Sequence, residues 1–248
     1  MKLPPGKYIK YLFRSLVYPG LDLHTYNRVQ LCKYWKKGPR DVLDAGSGNG
    51  FFSWLAYRDG ARVTGLNINR DQFNKARDYF INYKKLDPAR IRFELASLYD
   101  LEKETRSFDE IICYETLEHI KRDDFVIRQF YRILRPGGYL HLCCPNAAHP
   151  RHQAEILDLD EKGGHVRPGY STEDYQRMLS KAGFRIDMIR GIGGVRVYKA
   201  DLFLRRLRNN IGDIASLPLF FFLLPLSYID SGEPEIPFSL YARAIKTG

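Results

Sequence analysis

Seven consecutive residues, Asp44-Ala45-Gly46-Ser47-Gly48-Asn49-Gly50, place a glycine at every second position directly after the apolar pair Val42-Leu43. Glycine accepts positive φ and lets a ligand lie against bare backbone. A strand turning through such a run into a helix is therefore suited to cradling a nucleotide-like cofactor. The spacing departs from the dinucleotide fingerprint, because Phe51 stands where its third glycine would fall, and no Gly-Lys-Ser/Thr follows as in a phosphate loop. Nicotinamide, flavin and phosphate-loop chemistry are disfavoured.

A second group follows some 65 residues on, where Glu115-Thr116-Leu117-Glu118-His119 succeeds an apolar strand pattern, and His165 comes later in Gly163-Gly164-His165-Val166-Arg167. Imidazole titrates near neutrality, so His119 is the leading general base, with Glu115 and His165 as its expected catalytic companions. The remaining histidines carry less weight: His24, in Asp22-Leu23-His24-Thr25-Tyr26-Asn27-Arg28, reads as structural or as a cap over the cofactor, and His149 and His152 as loop residues. Cys143 and Cys144 read as packing within a strand rather than as nucleophiles.

These residues need a scaffold, and the alternation of short apolar runs with amphipathic stretches predicts a parallel sheet covered by helices. Strands are expected at 42–44, 62–68, 91–95, 108–114 and 139–144, with helices at 50–58, 71–85 and 123–134. The last of these helices is stopped by Arg135-Pro136-Gly137-Gly138. Ser171 with Asp174 three residues on predicts a capped helix ending at Gly183, and 184–189 and 239–245 supply two further strands. Residues 1–40, with Tyr8, Leu12 and Leu16 at helical spacing beside Lys10 and Arg14, and residues 191–237 fall outside this alternation. The expected organisation is an N-terminal helical cap over 1–40, a cofactor-binding core over 41–190, an insertion over the acceptor site at 191–237, and a final core strand in 238–248.

Over residues 40–190 and 238–246 the sequence resembles the class I S-adenosylmethionine-dependent methyltransferases. The resemblance implies an α/β, Rossmann-like, seven-stranded sheet with helices on both faces and its last strand antiparallel. It implies S-adenosyl-L-methionine as cofactor, its methionine part wrapped by Asp44, Ala45, Gly46, Ser47, Gly48 and Gly50. Asn67 takes the place of the acid that grips the ribose, with Ile68 and Gln72 beside it, Ser97 and Leu98 on the adenine side, and Tyr114 and Glu115 after the fourth strand. An amide lacks the carboxylate's charge, so Asn67 is a departure from the family pattern. The E-x-x-E-H run with His165 is similar to the metal-binding arrangement of small-RNA 2′-O-methyltransferases and ubiquinone-pathway O-methyltransferases. Ligation of Mg²⁺, Mn²⁺ or Zn²⁺ by Glu115, Glu118, His119 and His165 is the alternative; no metal site is the expectation, since L-E-H-I is widespread in metal-free relatives.

The implied reaction is methyl transfer to a small molecule, at an oxygen of a glycan, lipid-linked or aromatic acceptor. An RNA methyltransferase and a non-catalytic cofactor-binding scaffold are the competing readings. A formal charge of +10 on 248 residues attracts anions of any kind. No RNA-binding module with an aromatic platform stands out, so nucleic acid is not the expected partner. Four cysteines without a paired spacing suit a reduced compartment, and no export signal is expected, which together point to the cytoplasm. The longest apolar run, 217–226, is broken by Pro218 and Pro225 and is about half the ~20 residues of a spanning helix. Beside Arg205-Arg206-Leu207-Arg208 it suits a peripheral membrane contact or a lipid-linked substrate.

Overall fold

A computed structural model describes residues 6, 11, 12, 14, 15, 17–229 and 234–248. Tyr8, Lys10 and Leu16, three of the residues behind the expected N-terminal helix, lie outside the described residues. In chain order the elements are α1 (Leu23–Val29), β1 (Asp41–Ala45), α2 (Phe51–Arg58), β2 (Arg62–Asn67), α3 (Arg70–Arg77), β3 (Ile91–Leu95), β4 (Phe108–Tyr114), α4 (Asp123–Ile133) and β5 (Leu134–Pro145). Then come α5 (Pro150–Gln153), α6 (Thr172–Lys181), β6 (Phe184–Ile192), α7 (Val195–Ala215), α8 (Leu217–Leu223), α9 (Leu226–Ile229) and β7 (Ser239–Lys246).

The seven strands form one sheet in the order β3-β2-β1-β4-β5-β7-β6. The first five strands are parallel, and β7 runs antiparallel between β5 and β6. This is the expected class I methyltransferase architecture. Because the chain moves outward one way from β1 and the other way from β4, the crevice between their carboxyl ends is the topological switch point where ligands sit in such sheets.

Successive side chains of a strand face opposite sides, so a strand covered on both faces sends apolar residues into two cores. Strand β1 shows this: Leu43 and Ala45 join one core with Val126, Ile127 and Phe130 of α4 and Tyr175 and Leu179 of α6, while Val42 joins the other with Ala56 of α2 and Ala76 of α3. A third cluster packs Leu21 and Leu23 against Val197, Leu204 and Phe220, fastening the 191–237 insertion to the N-terminal segment. Leu23 N donates to Asp201 Oδ1 (3.0 Å), and Ser227 Oγ donates to the Leu23 carbonyl (3.0 Å).

Three boundaries differ from expectation. The predicted helix over 71–85 is α3 followed by a π turn, Asp78–Tyr83. Strand β5 starts early, pairing Leu134 with Phe108 before Arg135–Gly138 loop out and Tyr139 resumes opposite Glu110; Arg135 pins that bulge by bonding Asp109 (2.7 Å) and Asp41 (3.0 Å). Strand β6 continues to Ile192 because β7 offers it partners as far as Ser239. The capping box at Ser171 and Asp174 is present.

Candidate active site

The glycine run forms a tight turn between β1 and α2, with Gly46, Gly48 and Gly50 at φ of +88°, +52° and +84°. Gly46 and Ser47 both donate to the Leu66 carbonyl, which hangs the turn on the end of β2. A Cβ on Gly46 would lie 2.2 Å from Thr116 Oγ1, and one on Gly50 would lie 2.8 Å from the Phe80 ring. Gly46 is therefore bare because the loop after β4 packs directly on it, and Gly50 because the Phe80 and Phe93 rings do. Asp44, buried at the end of β1, accepts from Ser53 Oγ at 2.5 Å. Burial pushes its carboxyl up to about 6, against the pull of that hydroxyl. Ser47 Oγ is buried with no hydrogen-bond partner among the described residues, an orphaned donor that a polar cofactor would satisfy.

Asn67 donates to the Gly48 carbonyl (2.9 Å) and more weakly to Gln72 Oε1 (3.3 Å), while its Oδ1 accepts from Asn69 N (2.8 Å). The amide that replaces the usual acid thus braces the glycine turn. Ile68 projects outward and is 76% exposed. Ser97 caps the 3-10 turn Leu98–Lys103 in a capping box with Asp100, and Leu98 packs in the core. Tyr114 is also committed to packing: its hydroxyl accepts from Trp35 Nε1 at 3.1 Å.

The loop after β4 gathers the acid–base groups. Glu115 sits at φ +48°, and its Oε2 is 2.7 Å from a guanidinium nitrogen of Arg28. Burial raises the Glu115 carboxyl, and Arg28 opposes that shift. Glu118 is fully buried, with both carboxylate oxygens unpartnered among the described residues, and burial followed by repulsion from Glu115 raises it well above the ordinary carboxylate range. His119 Nδ1 is 2.9 Å from the Gly164 carbonyl, and its Nε2 is 3.9 Å from Glu118 Oε1. The rings of His119 and His165 meet edge to face with centroids 4.7 Å apart. Glu118, His119 and His165 bring one potential ligand atom each within 4.8 Å of one another. Glu115, the fourth member suggested by sequence, is not in that group, because its carboxylate is drawn to Arg28.

Two residues escaped sequence reasoning. Arg28 arrives on α1, and only its place in the Asp22-to-Arg28 run hinted at it; Glu155 holds His165 Nδ1 at 2.6 Å and carries no sequence signal. His24 is buried and stacked on Phe238, with ring centroids 3.9 Å apart, and burial pushes its pKa down to about 3, which leaves it neutral. His149 caps α5 by accepting from Arg151 N (3.2 Å), and His152 bonds the Phe238 carbonyl (3.1 Å). Cys113, Cys143 and Cys144 are buried free thiols, and burial raises all of them.

A parallel sheet with one antiparallel strand and a glycine turn at its switch point define a class I methyltransferase fold, and the orphaned hydroxyl of Ser47 beside that turn fits a polar ligand. Residues 37–183 match the methyltransferase domain family, and the chain belongs to it. A methyltransferase of Streptomyces halstedii, GfsG, is 41% identical over 156 residues, 57% of this chain and 51% of that protein. The ubiquinone biosynthesis O-methyltransferase of a Coxiella burnetii strain is 32% identical over 186 residues, 68% of this chain and 75% of that protein. The chain spans about half the length of several other curated relatives it matches. In fold it is similar to the solved structure of Haemonchus contortus phosphoethanolamine N-methyltransferase 2 in complex with S-adenosyl-L-methionine, with a TM-score of 0.63 and 20% identity over 90% of this chain and 53% of that one.

Proposed function

We propose that the chain transfers the methyl group of S-adenosyl-L-methionine to a hydroxyl oxygen of a small-molecule acceptor. The observation that carries this reading is the packing of Gly46 against Thr116, which supports a cofactor at the glycine turn close to the loop holding Glu118 and His119. The O-methyltransferase relatives support oxygen as the methylated atom. In the reaction the acceptor oxygen attacks the methyl carbon in line, the carbon–sulfur bond breaks to leave a neutral thioether, and the acceptor's proton goes to a base. A carbonyl can only accept, so the contact with Gly164 puts the hydrogen of the neutral His119 ring on Nδ1 and leaves the Nε2 lone pair to take that proton.

A metal-assisted version of the same reaction is favoured by the doubly orphaned Glu118 carboxylate. Glu118, His119 and His165 fit a divalent cation in donor type and proximity, and a bound cation acidifies an acceptor hydroxyl.

Isothermal calorimetry with S-adenosyl-L-methionine, followed by measurement of S-adenosylhomocysteine release over a panel of hydroxylated aromatics, glycans and lipid-linked alcohols, tests the proposal. Binding and turnover are expected, with His119→Ala lowering kcat about 100-fold or more at unchanged cofactor affinity. No binding of the cofactor refutes it. Mn²⁺ titration of the cofactor-free chain reads the metal separately: heat that disappears in Glu118→Gln supports ligation, and no heat in the unsubstituted chain removes it.

A further inference from the structure

Among the described residues no helix is long and apolar enough to cross a membrane, yet the insertion after β6 leaves an unusual set of side chains in water. Helix α7 buries Val197, Ala200, Asp201 and Leu204 against the N-terminal segment, which leaves the opposite face outward. That face carries Leu202 and Phe203 together with Arg196, Lys199 and Arg206. The helix breaks at Gly212, at φ +83°, and beyond it the chain exposes Ile214 (77%), Phe221 (50%) and Phe222 (79%). Large apolar groups are normally exposed singly, and this many within one short segment marks a contact surface.

The charges identify the occupant. Residues 195–229 hold five basic residues and two acids. Asp201 is buried and paired with Arg205, and Asp213 is paired with Arg208. Arg196, Lys199 and Arg206 have no acidic partner among the described residues and remain exposed. A second copy meeting this face about a twofold axis would set these cations against their own counterparts, which is unfavourable. An anionic lipid surface neutralises them while its acyl boundary receives the phenylalanines.

We infer that the outer face of α7 and α8 docks the protein in the interface of an anionic bilayer. The inner side of the same helix reaches α1 through Asp201 and Leu23, and α1 supplies the Arg28 that holds Glu115. The docked element is therefore tied through α1 to Glu115, in the loop to which the proposed function assigns the acceptor.

Sedimentation of the full chain with phosphatidylcholine vesicles, with and without 30% phosphatidylglycerol, tests the inference. The expected result is recovery in the pellet only with the anionic vesicles, weakened by salt. Phe221→Ser/Phe222→Ser and Arg196→Gln/Lys199→Gln/Arg206→Gln should each lower the partition coefficient about tenfold or more. Thermal melting and cofactor calorimetry on the same preparations show that the variants are folded. Equal recovery in the supernatant with both vesicle types overturns the inference, as does equal pelleting of the phenylalanine variant. A lipid-free dimer by analytical ultracentrifugation that dissociates in the phenylalanine variant also overturns it, by assigning the face to a second copy. None of these readouts depends on turnover, so docking and methyl transfer fail separately.

Discussion

Gly46→Ala isolates the contact on which the active-site reading depends. The residue sits at φ +88°, and a left-handed conformation costs an L side chain about 1–2 kcal/mol. The new Cβ would also lie 2.2, 2.6 and 2.9 Å from Oγ1, Cγ2 and Cβ of Thr116. Overpacking of this kind adds about 1–3 kcal/mol. If that strain falls on the cofactor-competent geometry of the turn, the sum of about 2–5 kcal/mol corresponds to a Kd for S-adenosyl-L-methionine raised about 30-fold or more. All three close atoms belong to one side chain, so Gly46→Ala/Thr116→Gly should remove the overlap and leave only the backbone cost, a loss of about 5- to 30-fold relative to Thr116→Gly alone. Isothermal calorimetry on the four proteins, with circular dichroism to confirm folding, reads both steps. Unchanged affinity in Gly46→Ala would refute the placement of the cofactor against this turn, and a double variant no better than the single would refute the steric argument.

The buried Asp44 supplies a pH prediction. Its folded pKa of about 6 lies above the ordinary 3.8, so the folded protein holds the proton more tightly than the unfolded chain; stability falls as pH rises between about 4 and 6. Asp44→Asn should flatten that segment of the urea-denaturation profile by about 3 kcal/mol, and an unchanged slope contradicts the assignment. Glu110 is fully buried and accepts from Arg40 Nε at 2.7 Å, contacts His141 Nε2 at 2.8 Å and accepts from Lys36 N at 2.8 Å. Burial alone would raise this carboxyl, and His141 and Arg40 hold it below the usual range. Glu110→Ala takes the buried carboxylate from Arg40 Nε and His141 and leaves Arg40 with the partly exposed Asp59, 3.2 Å away, so it should cost about 3 kcal/mol by the same assay; a loss under about 1 kcal/mol would show that the network relaxes freely.

Local signals were legible where one stretch of chain contains both halves of an interaction. The glycine turn reads directly, since its three positive-φ positions demand the residue found there. The capping box reads too, because Ser171 and Asp174 satisfy each other three residues apart. The start of β5 did not, because Leu134 continues a helical pattern and becomes a strand residue only when Phe108 pairs with it. The second strand ends at Asn67, one residue short of the expected 62–68, and the bond of Asn67 to the Gly48 carbonyl emerged only from the fold.

By itself the sequence determined the sheet, the order of its early elements and the glycine turn after the first strand, since periodicity, caps and glycine spacing are properties of neighbouring residues. The tertiary structure alone decided the composition of the acid–base site. His165 meets His119 across 45 intervening residues, Glu155 comes within 2.6 Å of the His165 Nδ1, and Arg28, carried in on α1, pairs with Glu115. These outcomes turn on which charges are desolvated together, and burial is a property of the packed chain rather than of any segment of it.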